Sequence, residues 1–168
     1  MCCLFGVYDY KGGLTAAQKR RLISALATAS EARGTDATGI AYICDGHLTV
    51  YKRPWPAHLM RFRLPENVGC VMGHTRMTTQ GDEKQNCNNH PFVGTAGIHF
   101  ALAHNGILYN DKELRQERKL PDTNIETDSY IAVQLLEQQG KLNFSTIRTA
   151  TEAVSYTHLR AHETVLDL

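Results

Sequence analysis

The first eight residues constrain this chain more than any other stretch. Cys2 stands directly behind Met1, and Cys3-Leu4-Phe5-Gly6-Val7-Tyr8 follows at once as an apolar run too brief for a helix. The chain therefore enters a buried strand before it has made a turn, and whatever Cys2 does is done at the end of a sheet. Methionine aminopeptidase removes Met1 when the next residue is small, and the mature chain then begins with a thiol and an α-amino group on one residue. A free amino terminus has a pKa of about 7.7–8, close enough to a thiol at about 8.5 to take its proton. One residue can thus supply both nucleophile and general base.

A chain of 168 residues suits one domain with a real core. Its net charge of +1 argues against a general affinity for nucleic acid or membrane. No apolar run approaches the roughly 20 residues that span a bilayer, and the amino terminus carries no signal-peptide pattern. Cys2, Cys3, Cys44, Cys70 and Cys87 are an odd, scattered set, which fits reduced thiols in a cytoplasm better than a disulfide framework.

Thr15-Ala16-Ala17-Gln18 matches a capping box, and the spacing predicts a helix with Leu22, Ile23, Leu26 and Ala29 on its apolar face. Gly34 is expected to stop it in the left-handed conformation. Asp45-Gly46-His47 between two apolar runs, 40–44 and 48–51, predicts a hairpin. Pro54, Pro56 and Pro65 leave little regular structure after it. Residues 68–73 read as a core strand followed by a polar loop from Thr75 to Asn89. Phe100-Ala101-Leu102-Ala103 reads as a buried strand ending at His104-Asn105-Gly106. Helices are expected over Asp128–Gln138, with Ile131, Leu135 and Leu136 inward, and from Ser145, with Ile147, Ala150, Thr151 and Val154 on one face.

Residues 155–168 break this grammar. Their back-translation resembles one reading frame of a transposon-type sequencing-library adaptor, so they are read as a non-native tail on a domain that occupies residues 1–154.

A thiolate that attacks an amide needs an oxyanion site and a grip on its substrate. Asn105-Gly106 after a core strand can offer a side-chain amide and a close backbone N–H, although Asn-Gly is also the commonest turn dipeptide. Arg76 could hold a carboxylate through two parallel hydrogen bonds, or be a surface arginine. Asp128 at a helix start stays ionised and could hold an ammonium, or merely cap the helix. Together those two handles suit an α-amino acid, and the thiol then points at its side-chain amide.

The ordered blocks Met1-Cys2-Cys3-Leu4-Phe5-Gly6, Arg33-Gly34-Thr35-Asp36-Ala37-Thr38-Gly39, His74-Thr75-Arg76 through Gly81, His104-Asn105-Gly106 and Glu126-Thr127-Asp128-Ser129 resemble the class II glutamine amidotransferase domain, an amino-terminal-nucleophile hydrolase. Cys3 stands where that family usually has glycine. The resemblance runs from Met1 to about Val154. It implies an α+β fold, a four-layer αββα sandwich incomplete at its carboxy terminus, and hydrolysis of L-glutamine to glutamate and ammonia through a γ-glutamyl thioester. By the same resemblance Cys2 is the nucleophile and Asn105 and Gly106 hold the oxyanion. Arg76, Thr79, Gln80 and Asp128 bind glutamine, and Arg33 and Gly34 shape the surroundings of the thiol. No cofactor or metal is implied, and the ammonia-accepting domain or protein is not identified. Three other readings stay open: an amino-terminal-cysteine amidase for another γ-glutamyl or acyl amide, a non-catalytic glutamine-binding domain, and a zinc site from Cys70-x3-His74 with Cys87-x2-His90.

Overall fold

The computed structural model describes residues 2–155. Strands β1 (Cys3–Tyr8), β2 (Ala37–Cys44), β3 (His47–Arg53) and β4 (Cys70–Arg76) form one antiparallel sheet in the order β1-β4-β2-β3. Strands β5 (Phe92–Thr95) and β6 (His99–Leu102) form a separate antiparallel hairpin. Four α-helices accompany them: α1 (Ala16–Ser30), α2 (Asp111–Glu117), α3 (Tyr130–Gln139) and α4 (Phe144–Ser155). The fold is mixed α+β with antiparallel sheets.

β1 is the opening strand, yet it is half-buried rather than buried. Phe5 and Val7 pack into the core beneath α1, whereas Leu4 and Tyr8 are 50% and 72% exposed. The period of two sends alternate side chains to opposite faces. β1 pairs along its length with β4, from Cys3 against Thr75 to Tyr8 against Cys70. That register lays Cys2 beside the carboxy end of β4.

β4 runs further than its apolar run predicts. Thr75 and Arg76, expected in a polar loop, and His74 just before it are buried strand residues, and Arg76 pairs with Ala37 of β2. Burial of polar groups is costly without partners, and here partners exist: the Thr75 hydroxyl donates to the Ser30 carbonyl at 3.0 Å. The Asp45-Gly46 turn forms as expected, with φ of 50° and 78°, joining β2 to β3.

The capping box of α1 forms at Thr15 and Gln18, but the inward face is rotated from the expected one. Ala16, Lys19, Ile23, Ala27 and Ser30 are buried; Leu22, Leu26 and Ala29 are exposed. Lys19 turns the helix this way, because its ammonium lies 3.3 Å from the Asp9 carboxylate and donates to the Glu66 carbonyl. Gly34 does not end α1 in a left-handed cap. A right-handed 3-10 turn at Glu31–Arg33 follows α1 instead, and Gly34 is extended at φ 175°. Its need for glycine is proximity: a Cβ there would lie 2.4 Å from the Arg76 carbonyl carbon.

Two hydrophobic clusters result. One lies between α1, its sheet and the segment 57–68; Ile23, Ile40, Phe62 and Val68 are at its centre. The other joins Phe92 and Phe100 to Ile131, Val133, Leu135 and Leu136 of α3 and to Ala150 and Val154 of α4. On α4, Ile147 and Thr151 are exposed rather than inward. α3 starts at Tyr130, so Asp128 sits in the turn ahead of it. Of the suspected tail, Ser155 closes α4 and residues 156–168 lie outside the described residues.

Candidate active site

Because β1 starts at Cys3, the side chain of Cys2 lies at the rim of the sheet. Its Sγ is 3.5 Å from the Met77 carbonyl oxygen and 3.4 Å from the Met77 backbone N–H nitrogen. Arg33 Nε donates to the Cys2 carbonyl at 3.0 Å, and Gly34 lets that turn lie flat against Arg76 and Met77. Cys2, Met77, Thr79, Asn105, Gly106, Ile107 and Tyr109 line one cleft of about 290 Å³. Four of the sequence-derived candidates, Cys2, Thr79, Asn105 and Gly106, therefore share a cavity wall.

Arg76 and Asp128 lie behind that wall. Arg76 is buried, and its guanidinium donates to Asn89 Oδ1 at 2.6 Å, to Thr127 Oγ1 and the Gly81 carbonyl, each at 3.3 Å, and to the Gln80 carbonyl. Gln80 thus contributes a backbone oxygen at this point. Burial pulls the Arg76 pKa down; the Cys2 thiol and the carboxylates of Glu83, Asp36 and Asp128 pull it back up. The guanidinium therefore feels the field of the thiol and of three carboxylates.

The Asp128 carboxylate accepts from the backbone N–H of Leu108 at 2.5 Å and of Ser129 at 2.7 Å, and from the Ser129 hydroxyl at 3.2 Å. Three donors satisfy the hydrogen-bonding needs of a buried carboxylate. The Leu108 bond also ties Asp128 to the loop that carries Asn105 and Gly106. That loop is held from two more sides. His104 Nδ1 and Ser129 Oγ are 2.9 Å apart, and the His104 carbonyl accepts from His74 Nε2 at 3.1 Å. A carbonyl can only accept, so His74 carries its proton on Nε2. A Cβ at position 106 would meet the His104 ring at 2.7 Å, so Gly106 is required for this packing.

Beneath the site, the His74 and His90 rings pack at 4.3 Å and His90 packs on Phe92 at 4.4 Å. Burial pushes the His74 pKa down to about 4, partly offset by the hydrogen bond to His104 and deepened by electrostatic coupling to Arg76 and His104. Burial likewise holds His90 well below the ordinary histidine range. The Lys52 ammonium, lowered to about 8 by burial, donates to the Asn89 carbonyl at 2.5 Å. The zinc pairing does not assemble. Cys70 is at the exposed start of β4, and among the described residues no group of three or more His, Cys, Asp or Glu side chains could hold a metal ion.

Sequence reasoning missed Asn88 and Asn89, and the contact of Thr127 with Arg76. Asn88 accepts from the Glu126 N–H at 2.8 Å and donates to the Glu126 carboxylate at 2.9 Å, and its carbonyl accepts from Thr127 Oγ1 at 2.7 Å. With Asn89 on Arg76, this pair locks the loop after β4 to the segment that carries Asp128. The signal was the double asparagine itself, which reads as loop composition but is fully buried.

No family model matches the chain. In sequence, 132 residues are 35% identical to glutamine–fructose-6-phosphate aminotransferase [isomerizing] of Bacillus thuringiensis subsp. konkukian (strain 97-27), covering 76% of this chain and 22% of that protein. The enzyme of the same name from Staphylococcus aureus (strain Mu50 / ATCC 700699) is 32% identical over 166 residues, covering 94% of this chain and 26% of that protein. Among solved structures, glutamine phosphoribosylpyrophosphate amidotransferase from B. subtilis, complexed with ADP and GMP, shares the fold. Its TM-score is 0.67 at 21% identity, over 92% of this chain and 33% of that one. The chain spans 22–26% of the length of these curated relatives. Their names make the relatives glutamine-dependent enzymes, and the chain is homologous to the portion it covers. Among the described residues no helix is long and apolar enough to cross a membrane.

Proposed function

We propose that this chain is a class II glutamine amidotransferase domain, an enzyme unit that hydrolyses the side-chain amide of L-glutamine with Cys2 as an amino-terminal nucleophile. The observation that carries this reading is the meeting of the Cys2 thiol with Asn105 and Gly106 on one cleft. Sequence relatives named for glutamine-dependent transfer point the same way.

In this mechanism removal of Met1 frees the Cys2 amine, which takes the thiol proton. The sulfur attacks the amide carbon, and the carbonyl oxygen becomes an oxyanion that the Asn105 side chain and the Gly106 N–H stabilise. Losing one such donor costs about 2.7–4 kcal/mol in the transition state. The tetrahedral adduct expels ammonia with the proton held by the amine, leaving a γ-glutamyl thioester. Water, deprotonated by the same amine, then releases glutamate and regenerates the thiol. Arg76 pairs with the substrate carboxylate, Asp128 with its ammonium, and Thr79 and Gln80 add contacts along the chain. Arg33 and Gly34 fix the turn against which Cys2 rests. The ammonia passes to an acceptor domain or protein that the chain does not identify.

The full architecture that accompanies this reading is the four-layer αββα sandwich. Supporting it, α1 covers one face of the larger sheet, α3 packs on the hairpin and α4 packs on α3. Ala41 and Met72 of the larger sheet also share a groove with Phe100 and Ala101 of the hairpin.

Mass spectrometry of the amino terminus, run beside an assay for ammonia release from glutamine, tests the proposal. Protein lacking Met1 should turn over glutamine and take an electrophilic glutamine analogue on Cys2. Cys2→Ala should bind glutamine without turnover. Full activity in protein with a blocked amino terminus would contradict the mechanism.

A further inference from the structure

Away from the thiol, one cleft among the described residues gathers four arginine side chains. Arg20 and Arg21 of α1 face His58, Arg61 and Arg63 of the segment after β3 across about 860 Å³, and no carboxylate lines the space. The arginines arrive there for structural reasons. Met60, Phe62 and Leu64 are buried, so the alternation of an extended segment sends Arg61 and Arg63 outward on one side. Lys19, Ile23 and Ala27 face the core, which leaves Arg20, Arg21, Ser24 and Thr28 on the open flank of α1.

The neighbouring acids are each engaged with groups other than these arginines. Asp9 is paired with Lys19, Glu66 accepts from the Ala16 N–H at 2.9 Å, and Glu31 accepts from the His58 N–H at 2.5 Å and lies 3.0 Å from His58 Nδ1. Among the described residues Arg20, Arg21 and Arg63 have no hydrogen-bond or ion-pair partner, and Arg61 donates only to its neighbour's carbonyl. In a chain of net charge +1, four uncompensated guanidiniums around one concavity repel one another and contribute nothing to the core.

We propose that this cleft binds a small, multiply charged phosphate ester, independently of the glutamine site. All four side chains are arginine rather than lysine, and the planar guanidinium fork matches phosphate oxygens in pairs. Arg61 and Arg63 also border an adjoining cleft of about 470 Å³, walled by Tyr42, Thr49, Val50 and Tyr51. The phosphates would lie among the arginines and the organic part against those tyrosines. The near-neutral net charge disfavours a nucleic acid partner, which needs a long basic track.

Equilibrium titration of the full chain with inorganic pyrophosphate, ADP and fructose 1,6-bisphosphate tests the site without any activity readout, so its failure leaves the amidotransferase reading untouched. Saturable binding is expected for pyrophosphate. Tighter binding of ADP would assign the organic part to a nucleoside, and of the bisphosphate to a sugar. The pairs Arg61→Gln/Arg63→Gln and Arg20→Gln/Arg21→Gln change only exposed side chains and should each weaken binding about tenfold or more. Wild-type affinity in both double variants, equal affinity for sulfate (an adventitious ion only), or stronger binding of polyglutamate or an oligonucleotide would each overturn the proposal.

Discussion

Acidification should cost this fold a large share of its stability, and His74 sets much of the amount. Its pKa lies at about 4 in the folded chain, against 6.5 for an unperturbed imidazole, and burial is the main cause. Above pH 6.5 neither state carries the proton. As pH falls below 6.5 the unfolded chain takes it up while the folded chain does not, so the unfolded state binds more protons and stability declines. The decline from this residue ends near pH 4, where the folded ring is protonated too. That window corresponds to about 3 kcal/mol, a substantial fraction of the roughly 5–15 kcal/mol of a typical domain. His90, depressed by burial first and then by electrostatic coupling to His74, Arg76, His104 and Lys52, adds to the loss in the same direction. Urea unfolding followed by circular dichroism, at intervals from pH 7.5 to 4, measures the slope. His74→Gln keeps a donor for the His104 carbonyl and removes the titration. It should flatten the profile by about 1.4 kcal/mol per pH unit within the window. Equal slopes in the two proteins would refute the assignment.

Two substitutions probe the frame behind the thiol. Gly34→Ala places a methyl group 2.4 Å from the Arg76 carbonyl carbon and 2.6 Å from Met77 N, both backbone atoms. A loss of about 1–3 kcal/mol in urea unfolding is expected, with slower ammonia release because Met77 borders Cys2 Sγ. Arg76→Lys cannot reproduce the guanidinium's bonds to Asn89, Thr127, Gly81 and Gln80. It should lower stability by about 1–3 kcal/mol as well as raise KM for glutamine, so a KM change at unaltered stability would show that those four bonds are dispensable.

Local patterns exposed much of this molecule and long-range hydrogen bonds concealed the rest. The Asp45-Gly46 turn and the Thr15–Gln18 capping box depend only on residues a few places apart, and both are present. β5 escaped notice because its four residues include glycine and threonine and gain strand character only from β6 and α3. α2 is short and almost wholly polar, with Leu114 its single buried residue. The buried stripe of α1 passes through Lys19, which no hydrophobic period would include; Asp9 and Glu66 draw it in. At the site, Cys2, Thr79, Asn105 and Gly106 were legible from ordered blocks and converge on one cleft. Arg76 was expected to open a loop and instead closes a strand. The Asn88–Asn89 lock was invisible because Asn88 finds Glu126 and Thr127 at separations of 38 and 39 residues, and Asn89 meets Arg76, 13 residues back, only through the folded loop.

Cys3 supplies the most discriminating test of which thiol reacts. Two adjacent cysteines could compete for an electrophile, but the pleat separates them. Cys3 begins β1 on the same face as Phe5 and Val7, which pack beneath α1, and its partner Thr75 points that way too, onto Ser30. Its Sγ rests 3.5 Å from the Leu4 carbonyl, whereas Cys2 Sγ lies against Met77 on the cleft. Cys3 also keeps its α-nitrogen in a peptide bond after Met1 is removed, so it has no amine of its own to accept the thiol proton. Cys3→Gly should therefore leave glutamine turnover within about twofold and direct an electrophilic glutamine analogue wholly to Cys2, as read by peptide mass spectrometry. The substitution adds backbone entropy at an edge position, for which a loss of about 0.5–1 kcal/mol is expected. Labelling of Cys3 in the wild-type chain, with turnover abolished in Cys3→Gly and retained in Cys2→Ala, would move the chemistry one residue along the chain and remove the amino-terminal amine from the mechanism.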